Sequence, residues 1–419
     1  MDYFEIEGGR RLSGTVTASG SKNAALPILF ATLLCPAKVR LRKVPRLHDI
    51  KTTLSLLEGV GARVSREGET VEIELAKLSS TEAPYDLVRT MRASVLMLGP
   101  LLAREKSARV SLPGGCAIGS RPVDIHLTAL EQMGAELKLE AGYIVGNCPR
   151  GLRGAEINFR FPSVGATQQI MMAASLAAGR TVIRNAAREP EIENLGGFLR
   201  AMGAKISGDG TAEIVIDGVP ALSGAEFEVM FDRIEAATLL LAGPITGGST
   251  RVQGMETDCL EAFLGVLRKS GVAVNSGEGW VEAAAGAASH GADFETQPHP
   301  GYPTDLQAQM MAFLAQANGI SRVSETIFEN RFMHVPELVR MGADIRVEGG
   351  QAVVHGKPGC YQGTTVMATD LRASASLVLA GLVAKGTTRV RRIYHLDRGY
   401  ESLESKLSSL GGAVVRKPE

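Results

Sequence analysis

Leu199-Arg200-Ala201-Met202-Gly203-Ala204-Lys205-Ile206 joins a leucine-bearing helix end, a glycine, a small residue and a short β-prone run. The same phrase stands at Leu56-Leu57-Glu58-Gly59-Val60-Gly61-Ala62-Arg63-Val64 and at Leu130-Glu131-Gln132-Met133-Gly134-Ala135-Glu136-Leu137. It returns at Leu267-Arg268-Lys269-Ser270-Gly271-Val272-Ala273-Val274, at Leu338-Val339-Arg340-Met341-Gly342-Ala343-Asp344-Ile345 and at Leu407-Ser408-Ser409-Leu410-Gly411-Gly412-Ala413-Val414. The glycines at 61, 134, 203, 271, 342 and 411 are 73, 69, 68, 71 and 69 residues apart. A glycine just past a helix marks a position that needs φ > 0. A second helix, rich in Ala, Ser and Leu, recurs about half a period away, over 23–34, 91–103, 166–178, 234–241, 306–317 and 372–384. Such helices are apolar nearly all round, which predicts that they lie inside a domain.

Each repeat therefore reads strand, helix, strand, helix, then strands, and six repeats of about 70 residues fill the 419-residue chain. Grouped three and three, they predict two similar lobes with a boundary near 226–232. The fold class is α/β.

Composition narrows the function. Lys plus Arg and Asp plus Glu number 45 each. That balance argues against general nucleic-acid or acidic-membrane binding but leaves room for a local anion pocket. Hydrophobic content of 45% and charged content of 21% are those of a soluble globular protein. Five dispersed cysteines without a CxxC pair suggest neither a zinc site nor a disulfide framework, and a reducing, cytosolic compartment fits them. The N-terminus is acidic and reaches a turn too soon for a signal peptide. No apolar run is long enough to span a bilayer. No P-loop motif occurs, and no G-x-G-x-x-G in Rossmann context.

Chemistry concentrates at the starts of the small-residue helices, which carry Lys22, Arg92, Val164, Arg233, Asp305 and Arg372. A cation at a helix N-terminus opposes the helix dipole. Four of the six repeats accept that cost, which predicts a pocket for a small substrate with two or more negative groups. Solvated helix ends are the competing reading, equally weighted for Arg233 and weaker for Lys22. Cys35, Cys148, Cys259 and Cys360 read as small buried hydrophobes. Cys116 differs: Leu112-Pro113-Gly114-Gly115-Cys116-Ala117-Ile118-Gly119-Ser120-Arg121-Pro122-Val123-Asp124 sets a thiol among glycines, between prolines and near an arginine. That pattern predicts a mobile loop bearing an acid or nucleophile. Asp305 is open between two readings, helix N-cap and general base, the latter if Thr304 caps instead. His126, His299, His334 and His395 form no metal-ligand pair; no metal and no cofactor is expected.

Several stretches together resemble the UDP-N-acetylglucosamine enolpyruvyl transferases, or MurA family, relatives of EPSP synthase. They are Gly20-Ser21-Lys22-Asn23-Ala24-Ala25-Leu26-Pro27, Val88-Arg89-Thr90-Met91-Arg92-Ala93-Ser94, the Cys116 loop, and Ala187-Arg188-Glu189-Pro190-Glu191-Ile192. Further on come Pro303-Thr304-Asp305-Leu306-Gln307-Ala308-Gln309, Glu325-Thr326-Ile327-Phe328-Glu329-Asn330-Arg331-Phe332, Asp370-Leu371-Arg372-Ala373 and Tyr394-His395-Leu396-Asp397-Arg398-Gly399-Tyr400. The resemblance covers the whole chain. It implies a two-lobed inside-out α/β barrel with three repeats per lobe. Residues 22–229 would form one lobe, residues 1–21 and 230–419 the other, with the active site in the cleft between them. It implies transfer of the enolpyruvyl group of phosphoenolpyruvate to the 3′-hydroxyl of UDP-N-acetylglucosamine with release of phosphate. That is the first committed step of peptidoglycan synthesis, in the cytoplasm, and such enzymes are targets of fosfomycin.

Carried over residue by residue, the resemblance makes Cys116 the general acid or covalent partner and Asp305 the base, with Lys22 and Arg398 also catalytic. Lys22, Asn23, Arg121 and Arg398 would contact phosphoenolpyruvate. Asn23, Arg92, Arg121, Pro122, Val123, Asp124, Ile125, Phe161, Pro162, Ser163, Val164, Asp305 and Ile327 would contact the UDP-sugar. Arg331, Asp370 and Arg372 would support the site. No nucleic acid, membrane or obligate protein partner is implied. Gln168, where the family has Glu, and the pair Phe161-Pro162 depart from the pattern beside the expected nucleotide site. Two other readings are the sister transferase acting on shikimate 3-phosphate, which lacks the Gly-Gly-Cys loop, and a non-catalytic repeat scaffold, which has no use for Cys116 in such a loop.

Overall fold

A computed structural model describes residues 2–88, 91–112 and 123–419, with the backbone alone for Arg92. The repeat is realised as strand, core helix, strand, outer helix and a β-hairpin. Among the described residues it builds six four-stranded sheets. In the repeat around Val110, Glu82–Ala83 runs parallel to Ser107–Ser111, which pairs antiparallel with Tyr143–Asn147, itself antiparallel to Glu136–Glu140. The other five sheets have the same order of one parallel and two antiparallel pairings. One face of each is dry. In Val39–Arg42, Val39 and Leu41 are buried while Arg40 and Arg42 are exposed and reach Glu72 and Glu226. That alternation fixes the register, because a one-residue slip would turn Val39 and Leu41 to water.

The chain divides into two units by contact: residues 20–230, less those not described, and residues 2–19 with 231–419. The first unit packs helices Lys22–Ala31, Leu98–Glu105 and Val164–Ala174 together. The second packs Arg233–Ile245, Gln307–Leu314 and Leu371–Val383. All residues of Arg233–Ile245 are buried. Helices lie inside and sheets outside, as the all-round apolar pattern predicts. The glycines at 61, 134, 203, 271, 342 and 411 all have positive φ, from +86° to +108°. At Gly342 an added Cβ would also stand 2.4 Å from the Cys360 carbonyl oxygen.

Two expectations change in the structure. The helix expected over 91–103 is a 3₁₀ stretch, Arg92–Met97, followed by α-helix from Leu98. Pro100 explains the late start, since its nitrogen cannot donate and its ring displaces the carbonyl four residues back. Cys35 and Cys148 are buried, but Cys259 and Cys360 are only half-buried. Both donate Sγ–H to carbonyls, of Glu256 and Ala315, at 3.3 Å. Burial pushes the Cys360 thiol up to about 11.

The strand order also contains an exchange. Ser13–Thr17 precedes helix Lys22–Ala31 in the chain, yet it pairs with Ser249–Gln253. Glu226–Glu228 precedes helix Arg233–Ile245, yet it pairs with Val39–Arg42. Each unit thus closes its three-fold arrangement with a strand from the far side of a crossing. Likewise Asp2–Glu7 completes the hairpin of the last repeat, paired to Ala413–Pro418 and Thr387–Arg391. The crossings fall at 19/20 and 230/231. Within the first unit the Ser21 N–H donates to the Met230 carbonyl at 2.7 Å, and within the second the Asp232 N–H donates to Ser19 at 2.7 Å.

One side chain ties a core-helix end into its unit. The Arg104 guanidinium donates to the carbonyls of Leu33, Cys35, Leu75 and Ala76 at 2.9–3.3 Å. Arg104→Met strands these acceptors and should lower unfolding stability by about 2–3 kcal/mol. A urea midpoint unchanged from wild type would contradict this.

Candidate active site

In the 20–230 unit, Ser21 caps helix Lys22–Ala31 by accepting the Ala24 N–H at 3.3 Å. Lys22 and Asn23 are thereby placed on its first turn. The Lys22 ammonium is 3.5 Å from Asp49 Oδ2, and both side chains are largely buried. Ser163 caps helix Val164–Ala174 in the same way, through the Ala166 N–H. That helix start approaches Asp124–Gln132: an added Cβ on Gly165 would lie 3.1 Å from the His126 imidazole. Ile125 is buried there, Val123 is half-buried, and Asp124 is exposed. Asp124 pairs with Arg160 at 2.8 Å, and the Arg160 guanidinium lies 5.5 Å over the exposed Phe161 ring. Arg160 was not singled out by sequence; its position three residues ahead of the Ser163 cap was the available signal. Pro162 is half-buried. Gln168 is buried within the helix, so its departure from the family pattern falls on an interior side chain. Cys116, Arg121 and Pro122 lie outside the described residues, as does the side chain of Arg92.

The second unit assembles a charged cluster. Asp305 belongs to the 3₁₀ turn Thr304–Leu306 and does not cap it; Pro303 occupies the capping position without a side-chain bond. The carboxylate instead lies between two guanidiniums. Arg331 Nη2 donates to Oδ1 at 2.6 Å and Arg372 Nη2 to Oδ2 at 2.9 Å. Both arginines are 5% exposed or less, whereas Asp305 keeps 26% exposure and can be reached. Two positive charges thus lie within 3 Å of its oxygens. Burial works to lower the Arg372 pKa, but Asp305 and Tyr400 outweigh it and the net shift is upward. Asp370 places Arg372 by capping helix Leu371–Val383, its Oδ1 accepting the N–H groups of Arg372 and Ala373 at 2.8 and 3.1 Å.

A buried polar chain supports this turn. Gln309 Nε2 donates to the Asp305 carbonyl at 2.9 Å and also reaches the Tyr400 hydroxyl at 3.1 Å. Thr238 spends its one hydroxyl proton on the Ile234 carbonyl at 2.8 Å. The 3.1 Å contact between Thr238 and Tyr400 therefore takes the phenol proton. Burial raises the Tyr400 pKa, against the pull of Arg372, and keeps it a neutral donor. Arg398 ends the 3₁₀ stretch Ile393–Arg398, and its neighbour Asp397 is gripped by both terminal nitrogens of Arg416. Thr238 and Arg416 were not marked by sequence, and Gln309 and Tyr400 stood in family stretches without an assigned role. Thr238, Gln309 and Tyr400 meet one another across 71 to 162 residues and Arg416 meets Asp397 across 19, separations that no local pattern records.

Burial holds the His334 imidazole down to about 4, with Asp370 pulling the other way. With the folded pKa below the unfolded one, the unfolded chain binds the proton first. Stability from this group is full above pH 6.5 and is lost as pH falls towards 4, by roughly 3 kcal/mol. His334→Phe should remove that slope; unfolding curves for variant and wild type that stay parallel between pH 7 and 4 would contradict it.

Among the described residues no group of three or more His, Cys, Asp or Glu side chains could hold a metal. No described helix is long and apolar enough to cross a membrane.

The family model described as EPSP synthase (3-phosphoshikimate 1-carboxyvinyltransferase) matches residues 6–407. A UDP-N-acetylglucosamine 1-carboxyvinyltransferase of Nitratidesulfovibrio vulgaris is 56% identical over the full length of both chains. One of Solidesulfovibrio magneticus is 56% identical over 99% of this chain and 100% of its own. The enolpyruvyl transferase NikO of Streptomyces tendae is 27% identical and superposes with a TM-score of 0.90 over 99% of each chain. An EPSP synthase of Acinetobacter baumannii, 17% identical, shares the fold over the full length of both chains with a TM-score of 0.78. The chain belongs to the enolpyruvyl transferase family and, within it, to the UDP-N-acetylglucosamine 1-carboxyvinyltransferases.

Proposed function

We propose that the chain transfers the enolpyruvyl group of phosphoenolpyruvate to the 3′-hydroxyl of UDP-N-acetylglucosamine, releasing phosphate, as the first committed step of peptidoglycan synthesis in the bacterial cytoplasm. The observation that carries the reading is the Asp305 carboxylate, accessible yet clamped by Arg331 and Arg372, in a chain so close to enzymes of that name.

Addition requires a proton on the methylene carbon of phosphoenolpyruvate and removal of one from the sugar hydroxyl, which bonds to the adjacent carbon. Asp305 takes the hydroxyl proton, and Cys116 supplies the methylene proton or holds the phosphoenolpyruvate carbon. Elimination then breaks the bond to the phosphate oxygen, and a methyl proton leaves to restore the double bond. Lys22, Arg121 and Arg398 stabilise charge on phosphate and carboxylate, the electrostatic contribution that dominates such catalysis. Asn23, Arg92, the 121–125 stretch, the 161–164 stretch and Ile327 hold the UDP-sugar, while Asp370 fixes Arg372. Cys116 is then also the thiol that fosfomycin alkylates, and loss of the activity stops wall growth and division.

Phosphate release tests this. It should require phosphoenolpyruvate together with UDP-N-acetylglucosamine and be absent with shikimate 3-phosphate as acceptor. Release with shikimate 3-phosphate alone overturns the assignment.

A further inference from the structure

We infer that Glu325 is a positioning residue for the reaction: it sets the turn that carries Asp305 and the loop that carries Ile327 as one piece. The inference rests on the reading of Asp305 as the base. Glu325 directly follows strand Gly319–Ser324 and the residue is buried, with 7% exposure. Its N–H is tied to the Gly350 carbonyl at 2.8 Å, so the backbone beneath it is held.

The carboxylate collects four donors from three segments. Oε1 accepts from Thr296 Oγ1 at 3.0 Å, from the Ile327 N–H at 2.9 Å and from the Phe328 N–H at 3.1 Å. Oε2 accepts from Thr304 Oγ1 at 2.9 Å. Thr304 is the residue before Asp305. The loop after Glu325 carries Arg331, whose guanidinium grips Asp305 and lies 5.5 Å over the Phe328 ring. Loop and turn are thus joined twice, by hydrogen bonds to Glu325 at one end and by the Arg331–Asp305 ion pair at the other. Arg331 and Arg372 hold the Asp305 carboxylate and Gln309 its carbonyl, but of these only Arg331 belongs to the loop after Glu325. The Glu325–Thr304 bond, one residue away, is the second tie between that loop and the turn, and it fixes the two against rotation about the ion pair. Reaction rate is steep in such placement, and about 1 Å of displacement costs on the order of a hundredfold.

Thr304 separates positioning from mere stability, because its hydroxyl can be removed without changing its shape. Thr304→Val should lower kcat by about ten- to a hundredfold, with KM for UDP-N-acetylglucosamine within about threefold of wild type. Thr304→Ser keeps the donor and should restore kcat to within about threefold. Glu325→Ala frees the Ile327 loop as well and should raise that KM besides lowering kcat. The double variant Glu325→Ala, Thr304→Val should be no slower than Glu325→Ala, because Thr304 then has no acceptor left to lose. Thermal unfolding of Thr304→Val checks that the protein is folded at the assay temperature. Equal kcat for Thr304→Val and Thr304→Ser, or full additivity in the double variant, overturns the inference. Asp305→Asn is run beside them: wild-type kcat there refutes the base assignment, whereas loss there with none in Thr304→Val refutes only the role given to Glu325.

Discussion

Asp305→Asn should lower kcat by about two to four powers of ten, the usual contribution of a positioned base. Asparagine keeps the shape and one acceptor oxygen but cannot take up the hydroxyl proton. The KM for phosphoenolpyruvate should change far less, since the phosphate and carboxylate contacts are assigned to other residues. The substitution also leaves two buried guanidiniums, Arg331 and Arg372, without their carboxylate. Removing one partner of a buried ion pair costs about 3–5 kcal/mol. The denaturant midpoint should therefore drop together with kcat. Turnover within a few-fold of wild type would exclude Asp305 as the base, and an unchanged midpoint would show that the clamp adds nothing to stability.

Lys406→Met should destabilise the protein by about 3–5 kcal/mol without touching any assigned substrate contact. Glu235 is 1% exposed, and its Oε1 accepts from Lys406 Nζ at 2.8 Å. Its Oε2 accepts from the Ser19 N–H, while Lys406 also donates to Ser19 Oγ, both at 2.6 Å. Ser19 is the last residue before the chain crosses to the other unit. Burial already raises the Glu235 pKa, with Lys406 opposing. Without Lys406 the rise is larger. A carboxyl raised in the folded state stabilises below its unfolded pKa and loses that contribution as pH rises through the folded pKa. The deficit of Lys406→Met should therefore be smaller near pH 4.5 than near pH 7.5. Adding Glu235→Gln should recover most of it. A pH-independent deficit, or no recovery in the double variant, would show that the pair is not the cause.

Much of the architecture was legible before any coordinates. The helix stop at Gly203 and its five counterparts is a local requirement, because left-handed backbone excludes most side chains in any context. The inward position of Arg233–Ile245 follows from a composition without a polar face. Pro100, by contrast, lay in plain view, yet an apolar run around it read as continuous helix; the ring's effect on the preceding turn outweighs hydrophobic periodicity. The strand exchange of Ser13–Thr17 and Glu226–Glu228 had no local signal, since strands of five and three residues fit the edge of either sheet.

The chain by itself determined the six repeats, the small-residue helices, the cationic helix starts and, through long specific motifs, the family. These depend on backbone preference and side-chain type within a few residues. Tertiary structure alone decided that Asp305 binds two arginines rather than capping its own turn. It also decided that Glu325 joins that turn to the Ile327 loop, and that Glu235 and Lys406 hold Ser19. The ties Glu325–Thr304, Asp305–Arg331, Asp305–Arg372, Glu235–Lys406 and Lys406–Ser19 bring together side chains 21 to 387 residues apart. Only the closure of a three-repeat unit brings such side chains within hydrogen-bonding distance, and no spacing along the chain encodes it.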